Sequence, residues 1–170
     1  MNKIKKILGR FRVSSRVFAA LAVLVAISFF AESFPANAKG PINIVIEKLD
    51  DLNLGTWGGQ GNLADYSDHC VASTTGTYSI TATGDGPGGA YQLSSGAATL
   101  PFHLYYRDKK NAAFVEIPAG MPIASFKAEH KPEKCKHEKQ RLEVRLFELD
   151  MAQVPPGAYS GNLVVMVTPL

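Results

Sequence analysis

Two cysteines, Cys70 and Cys135, are the residues of this chain best suited to covalent chemistry. An even number of cysteines in an exported domain favours a disulfide bond. Closing a loop of this length would stabilise the fold by roughly 4 kcal/mol in the chain-entropy treatment. The alternative is a metal site that joins Cys135 to His130 and His137, with His69 or Cys70 added, but the Cys-x-His spacing fits no trusted zinc module. We therefore predict a Cys70–Cys135 disulfide and no metal.

The remaining polar residues give no pattern that predicts an enzyme. No serine lies in a nucleophile elbow. Asp65, Asp68 and His69 are close in sequence, but a turn rich in Asp and Asn explains them as well. Asp85, within Gly-Asp-Gly-Pro-Gly-Gly, lacks the further alternating carboxylates of a calcium loop, so a hairpin turn is the better interpretation. We expect no catalytic residue and no cofactor.

Two further features have both a functional and a structural interpretation. Trp57, the only tryptophan, could stack on a sugar, but a lone tryptophan in a β-sandwich is more often core or half-core. Residues 125–145 form a run of mixed charge, which we interpret as a solvated loop and strand edge. The alternative is a basic contact patch for a partner or an anionic surface polymer, weakened by intermixed glutamates. Its basic residues are Lys127, Lys131, Lys134, Lys136, Lys139, Arg141 and Arg145.

The amino terminus has the pattern of an export signal. The first 16 residues contain six basic residues and no acid, and Val17–Phe30 is apolar or small apart from Ser28. Small residues two apart, at Ala36 and Ala38, suit a signal peptidase, so we predict cleavage after Ala38 and a signal peptide over residues 1–38. The apolar run has 14 residues, short of the about 20 that a transmembrane helix needs. An uncleaved anchor is the alternative.

Cleavage would change the charge of the protein. The chain has 18 basic and 15 acidic residues; six of the basic ones and one acid lie before residue 39, which leaves 12 and 14. The basic character therefore belongs to the export signal and does not indicate nucleic acid or anionic lipid as a partner.

Residues 39–170 have the length of one domain and the pattern of an all-β fold. Short segments with strand character alternate with turn residues, and no long segment keeps a helical period. We predict an antiparallel β-sandwich of about eight strands. The predicted strands are 42–49, 52–57, 77–83, 90–95, 99–107, 113–117, 123–127, 140–149 and 162–168, with 77–83 and 90–95 forming a hairpin.

Four segments, taken in order, resemble the spore coat protein U type domain of archaic chaperone–usher pilins. Leu49–Trp57 (LDDLNLGTW) is similar to the early segment of that family, and His69–Thr83 (HCVASTTGTYSITAT) to its cysteine-containing strand and the strand after it. Leu100–Asp108 (LPFHLYYRD) resembles its Leu-Tyr-x-Asp strand. Val154–Pro169 (VPPGAYSGNLVVMVTP) resembles its closing strand.

The resemblance implies an incomplete immunoglobulin-like sandwich that lacks its last strand and is completed by a donor strand. It also implies three kinds of partner: a periplasmic pilus chaperone, an outer-membrane usher and neighbouring pilin subunits. The protein would pass through the periplasm to a surface fibre or be secreted. The chaperone would anchor the terminal carboxylate, on Leu170. The groove for the donor strand would be flanked by Ile42, Ile44 and Ile46 on the first strand and by Leu163, Val165 and Val167 on the last.

The chain departs from the family pattern in two respects. The family's first-strand cysteine is absent, so Cys135 would replace it as the partner of Cys70. Only about three residues would precede Ile42 after cleavage. Residues 42–49 are therefore either the donor strand or a core strand of a subunit that accepts without donating. We predict a structural or adhesive subunit of a surface fibre; the alternative is a self-contained periplasmic or secreted binding module.

Overall fold

The computed structural model describes residues 3–6, 42–130, 135 and 140–170. These residues form twelve strands, a 3-10 turn at Pro87–Gly89 and one short helix, α1 (Glu148–Met151). The strands are β1 (Lys3–Lys6), β2 (Ile44–Glu47), β3 (Leu52–Asn53), β4 (Leu63–Ser73), β5 (Thr77–Gly84), β6 (Gln92–Ser95), β7 (Ala98–Pro101), β8 (His103–Arg107), β9 (Val115–Glu116), β10 (Ile123–Lys127), β11 (Gln140–Leu146) and β12 (Gly161–Pro169). The predicted signal cleavage after Ala38 lies outside the described residues.

The strands form two five-stranded sheets and a separate hairpin. The first sheet has the order β10-β5-β12-β1-β3, the second has the order β2-β4-β11-β8-β9, and β6 pairs with β7. Neighbouring strands are antiparallel except β1 and β12, which are parallel. The prediction of a mostly antiparallel, all-β fold is confirmed. Within the described residues, no helix is long and apolar enough to cross a membrane.

Strand β11 shows how the sequence builds the core between the sheets. Leu142, Val144 and Leu146 are buried, and the residues between them point away from the core. This is the period of two that a strand with one buried face requires. We had predicted that this strand continues to Leu149, but it ends at Leu146 because the chain turns into α1 at Glu148.

A chain of buried hydrogen bonds connects the two sheets. Tyr78 of β5 donates to the hydroxyl of Tyr106 on β8 (2.5 Å), and Tyr106 donates to Nε2 of His69 on β4 (3.2 Å). His69 Nδ1 donates to the carbonyl oxygen of Ser67 (3.2 Å), because a carbonyl oxygen can only accept. In the neutral imidazole Nε2 is then the acceptor, and this fixes the direction of the chain. Burial raises the pKa of Tyr106, so its hydroxyl stays protonated and able to donate.

Three predictions about strands are corrected by the structure. Residues 63–73 form the longest strand, although Asp65, Asp68 and His69 were interpreted as a turn. The predicted strand 99–107 is two strands, because Pro101 ends β7 and Phe102 crosses from the hairpin into the second sheet. The predicted hairpin of 77–83 with 90–95 does not form, since β5 lies between β10 and β12 and β6 pairs with β7.

The predicted disulfide is present. Cys70 and Cys135 are bonded with a Cα–Cα distance of 5.6 Å across 65 residues of sequence. Both side chains are buried with Ala72 in a cluster separate from the main core. The bond ties the connection that precedes β11 to β4, and it uses the cysteines that the metal alternative required.

Candidate functional site

The most unusual feature of the fold is a strand from the predicted export signal inside the first sheet. Strand β1 runs parallel to β12, with Ile4 opposite Gly161 and Lys6 opposite Leu163. On its other side, β1 runs antiparallel to β3, with Ile4 opposite Leu52. We call this position between β12 and β3 the acceptor slot. On the other side of β12, seven of its residues pair with β5. This part of the sheet does not include β1.

Strand β12 is the long wall of the acceptor slot. Leu163 is 5% exposed, whereas the next two residues on the same face, Val165 and Val167, are only partly buried against the core. On the opposite face, Val164 is 39% and Met166 50% exposed. The described pairing on the slot side stops at Leu163. Beyond it, the backbone of β12 up to Pro169 has no strand partner on that side within the described residues.

Asp85 fixes the beginning of β12. Its Oδ2 accepts hydrogen bonds from the backbone N–H (2.7 Å) and the side-chain Nδ2 (2.9 Å) of Asn162. The preceding Gly84 has no space for a side chain, because a Cβ there would lie 2.4 Å from the carbonyl oxygen of Ala90. The glycine-rich turn therefore sets the position of the slot wall and is not arranged as a cation loop.

The first predicted strand lies at the edge of the second sheet. Strand β2 pairs antiparallel with β4, with Ile44 opposite Ser73 and Glu47 opposite Cys70, and it also contacts β12. Ile44 and Ile46 are partly buried and pack against the core. Ile44 and Ile46 of β2 and Val165 and Val167 of β12 are all partly buried against the core. Their role as a donor-strand groove stays a prediction.

Ile42, which we had grouped with Ile44 and Ile46, is not part of this arrangement. It precedes β2 and is 63% exposed. A strict period of two over 42–46 predicted one shared face, but the strand begins only at Ile44, so the period does not extend to Ile42.

The carboxyl-terminal residue lies at the end of β12. The Leu170 backbone N–H donates to the carbonyl oxygen of Thr77 (3.1 Å), and the Leu170 backbone oxygen accepts from the Thr77 hydroxyl (3.4 Å). The Leu170 side chain is half exposed. Its proposed contact with a chaperone stays a prediction.

In the described part of the charge run at 125–145, the arginines are paired with acidic residues. Arg141 donates two hydrogen bonds to Asp68 (2.6 and 2.7 Å), and its guanidinium lies 3.6 Å from the ring centre of Tyr66. The hydrogen bonds from Arg141 lower the pKa of the Asp68 carboxyl group. Arg145 is paired with Glu143. Both arginines are therefore neutralised by neighbours. Lys131, Lys134, Lys136 and Lys139 lie outside the described residues.

The sequence predicted neither that residues 3–6 occupy the slot nor that β3 forms one of its walls. Residues 3–6 were assigned to the export signal alone, and an isolated isoleucine among lysines gives no strand pattern. The short wall, β3, was predicted as a strand but not as a neighbour of β12. The alternation of Leu52 and Leu54, which are both buried, was the available signal.

Comparisons with known proteins give one structural similarity. No protein-family model and no curated protein matches the chain. One solved chain similar to it comes from a structure described as a chaperone–tip adhesin complex vital for synergistic activation of CFA/I fimbriae biogenesis. The TM-score is 0.49 at 19% identity, over 75% of this chain. The match covers 42% of that solved chain, so this chain corresponds to less than half of its length.

Proposed function

We propose that this protein is a non-enzymatic structural or adhesive subunit of a surface fibre, and that it joins its partners by accepting a β-strand into the acceptor slot. The partners would be a periplasmic chaperone and usher, followed by a neighbouring subunit. The single observation that carries the proposal is the position of β1, a strand contributed by residues that export is expected to remove.

Removal of β1 would leave an energetically costly gap. The backbone of β12 beside Gly161–Leu163 and the facing groups of β3 would lose their hydrogen-bonding partners. Val165 and Val167, already incompletely covered, would border an apolar opening. A strand from another protein would supply the backbone hydrogen bonds and cover the apolar side chains, as strand addition does at other sheet edges.

The pairing of β2 supports the role of acceptor. Because Ile44–Glu47 is hydrogen-bonded to Cys70–Ser73 within the same chain, donation of this segment to a neighbour would remove it from the second sheet. Such a loss would expose Val71, a fully buried residue of β4 that pairs with Ile46. We therefore assign residues 44–47 to the core of the subunit and not to a donor strand.

Site-specific photo-crosslinking in cells that export the protein tests the proposal. A photoreactive residue at Val167, which lies on the same face of β12 as Leu163, should crosslink to an extended segment of a chaperone or of another subunit. The matched control is the neighbouring Thr168, which points outward, and should crosslink much less. The linked peptide is identified by mass spectrometry. An equal yield at both positions, or no intermolecular product at Val167, would contradict the proposal.

A self-contained exported binding module is the second candidate function. The continuous core of both sheets, which includes Tyr78, Leu104 and Val144, favours it. It requires that the domain without β1 remain folded and monomeric on its own.

A further inference from the structure

A cleft of about 310 Å³ lies at one end of the sandwich. It is formed by the connection from β3 to β4 and by the segment between α1 and β12. Its main apolar residues are Trp57, Leu63, Leu100, Met151, Pro156 and Tyr159. None of the residues that border the acceptor slot lines the cleft. A ligand here would therefore be independent of strand exchange.

The two connections that form the cleft are joined by hydrogen bonds. Glu148 at the start of α1 accepts from the Gly61 N–H through Oε2 (2.8 Å), and its own N–H donates to Oδ1 of Asn62 (2.9 Å). Gly59 and Gly61 have positive φ angles of 93° and 76°, which glycine adopts without strain. The connection therefore bends back on itself and is fixed to α1.

This bend places Trp57 in the wall of the cleft. Its indole Nε1 donates to the carbonyl oxygen of Gly61 (2.9 Å), so the ring is held by its own loop. The ring is only partly buried, although it packs against the core. A tryptophan needed only for packing would gain more by full burial.

The chemistry of the lining selects the class of ligand. No charged side chain is found among the described residues that line the cleft. The polar group of each aromatic residue in the lining already donates a hydrogen bond within the protein. Tyr159 donates to the carbonyl oxygen of Pro155 (2.7 Å), and Trp57 donates to that of Gly61. A charged ligand would lose its hydration without gaining a partner. An apolar cavity of about 150 Å³ can bind benzene, so this cleft has room for more than one ring.

We propose that the cleft binds an uncharged aromatic group, either as a small molecule or as an aromatic side chain of a peptide. Burial of the rings of the ligand against Trp57, Leu100 and Pro156 would supply the affinity. Sugars are not expected to bind, because their hydroxyl groups need free hydrogen-bonding partners.

Binding of the uncharged dye N-phenyl-1-naphthylamine to the exported chain tests the proposal. The acceptor slot is first saturated with a strand peptide, so that the slot cannot take up the dye. Dye fluorescence should rise on binding and the emission of Trp57, the only tryptophan, should fall. Thr56→Arg places a charge in the lining and should weaken binding by at least about tenfold. Gln60→Arg, in the same loop but outside the lining, is the matched control and should leave affinity unchanged.

Competition experiments distinguish the two sources of the aromatic group. Displacement of the dye by 2-phenylethanol alone indicates a small molecule, whereas stronger displacement by a capped Gly-Phe-Gly peptide indicates a side chain. Absence of dye binding, equal effects of the two arginine variants, or displacement by glucose would each overturn the proposal. Dye binding that disappears when the strand peptide is added would assign the dye to the slot and would also overturn it.

Discussion

At the scale of single residues, the hydroxyl groups of Tyr78 and Tyr106 and the imidazole of His69 form the most consequential buried contacts. They lie on three strands from both sheets and satisfy one another in a dry core. A buried network of this kind is stabilising when complete and costly when one member is lost. His69, which lies next to Asp68 in the sequence, thus has a structural role in this network.

We predict that Tyr106→Phe destabilises the domain by about 1–3 kcal/mol, because it leaves Tyr78 without its acceptor and His69 without the donor to Nε2. Chemical denaturation of the complemented protein measures the loss. Tyr105→Phe, one residue away on the outer face of the same strand, is the control and should change stability by less than about 0.5 kcal/mol. Equal losses in the two variants would refute a special role for the network.

We predict that the double variant Cys70→Ser/Cys135→Ser loses roughly 4 kcal/mol of stability through the larger entropy of its unfolded chain. Mass spectrometry of non-reduced, alkylated exported protein should show one crosslinked peptide pair and no free thiol. Two alkylated cysteines in folded protein would contradict the disulfide, and unchanged stability of the variant would contradict its energetic role.

At the scale of elements, the two faces of β12 differ in their burial. Leu163, Val165 and Val167 pack against the core, whereas Val164 and Met166 point to solvent. Adjacent valines at positions 164 and 165 therefore form a natural pair for comparison.

We predict that Val165→Asp weakens binding of a complementing strand peptide by roughly 100-fold, because a carboxylate would be buried in the closed slot. The yield of exported protein and its capture by a chaperone should fall with it. Val164→Asp should change the affinity by no more than about threefold, since that side chain stays in water. Titration calorimetry or fluorescence anisotropy with a labelled peptide measures both. If the two variants bind alike, β12 does not present its Val165 face to the slot.

We predict that deletion of Lys39–Leu49 abolishes folding, because β2 is hydrogen-bonded to β4 and covers the edge of the second sheet. A donor segment would behave differently: the truncated subunit would still bind its chaperone and would fail only to polymerise. Periplasmic yield, protease resistance and chaperone co-purification separate the two results. A folded, chaperone-bound truncation would reassign residues 42–49 as a donor strand.

The sequence predicted those elements whose pattern of burial is simple. Strands β10, β11 and β12 were found within a few residues because aliphatic or aromatic residues alternate with polar ones. The first half of β4 was missed because Asp65, Ser67 and Asp68 favour turns locally, and the distant partner Arg141 helps to stabilise Asp68 in a strand. The second half, from His69, was implied by the resemblance. The break at Phe102 depends on tertiary packing, which local patterns do not encode.

At the scale of the whole molecule, we propose that export and completion of the fold are coupled. Lys3–Lys6, which fill the acceptor slot, belong to the predicted export signal. The resemblance to pilin domains, which rests on other segments of the chain, independently implied an incomplete sandwich. The sequence predicted strands close to β2 and β12, on which residues 44, 46, 163, 165 and 167 lie; a groove formed by these residues stays a prediction. The sequence could not predict β1, because the pairing with β12 joins residues more than 150 positions apart.

The most direct test of the central claim is the equilibrium stability of the chain without residues 1–38, measured with and without a strand peptide. We use a nine-residue peptide of alternating valine and threonine, with an all-threonine peptide as control. The account predicts that the chain alone is unfolded, aggregated or only weakly cooperative. The valine peptide should restore a cooperative transition whose midpoint rises with peptide concentration, as linkage to binding requires. A chain that is monomeric, cooperatively folded and unaffected by the valine peptide would contradict strand acceptance and favour the self-contained binding module.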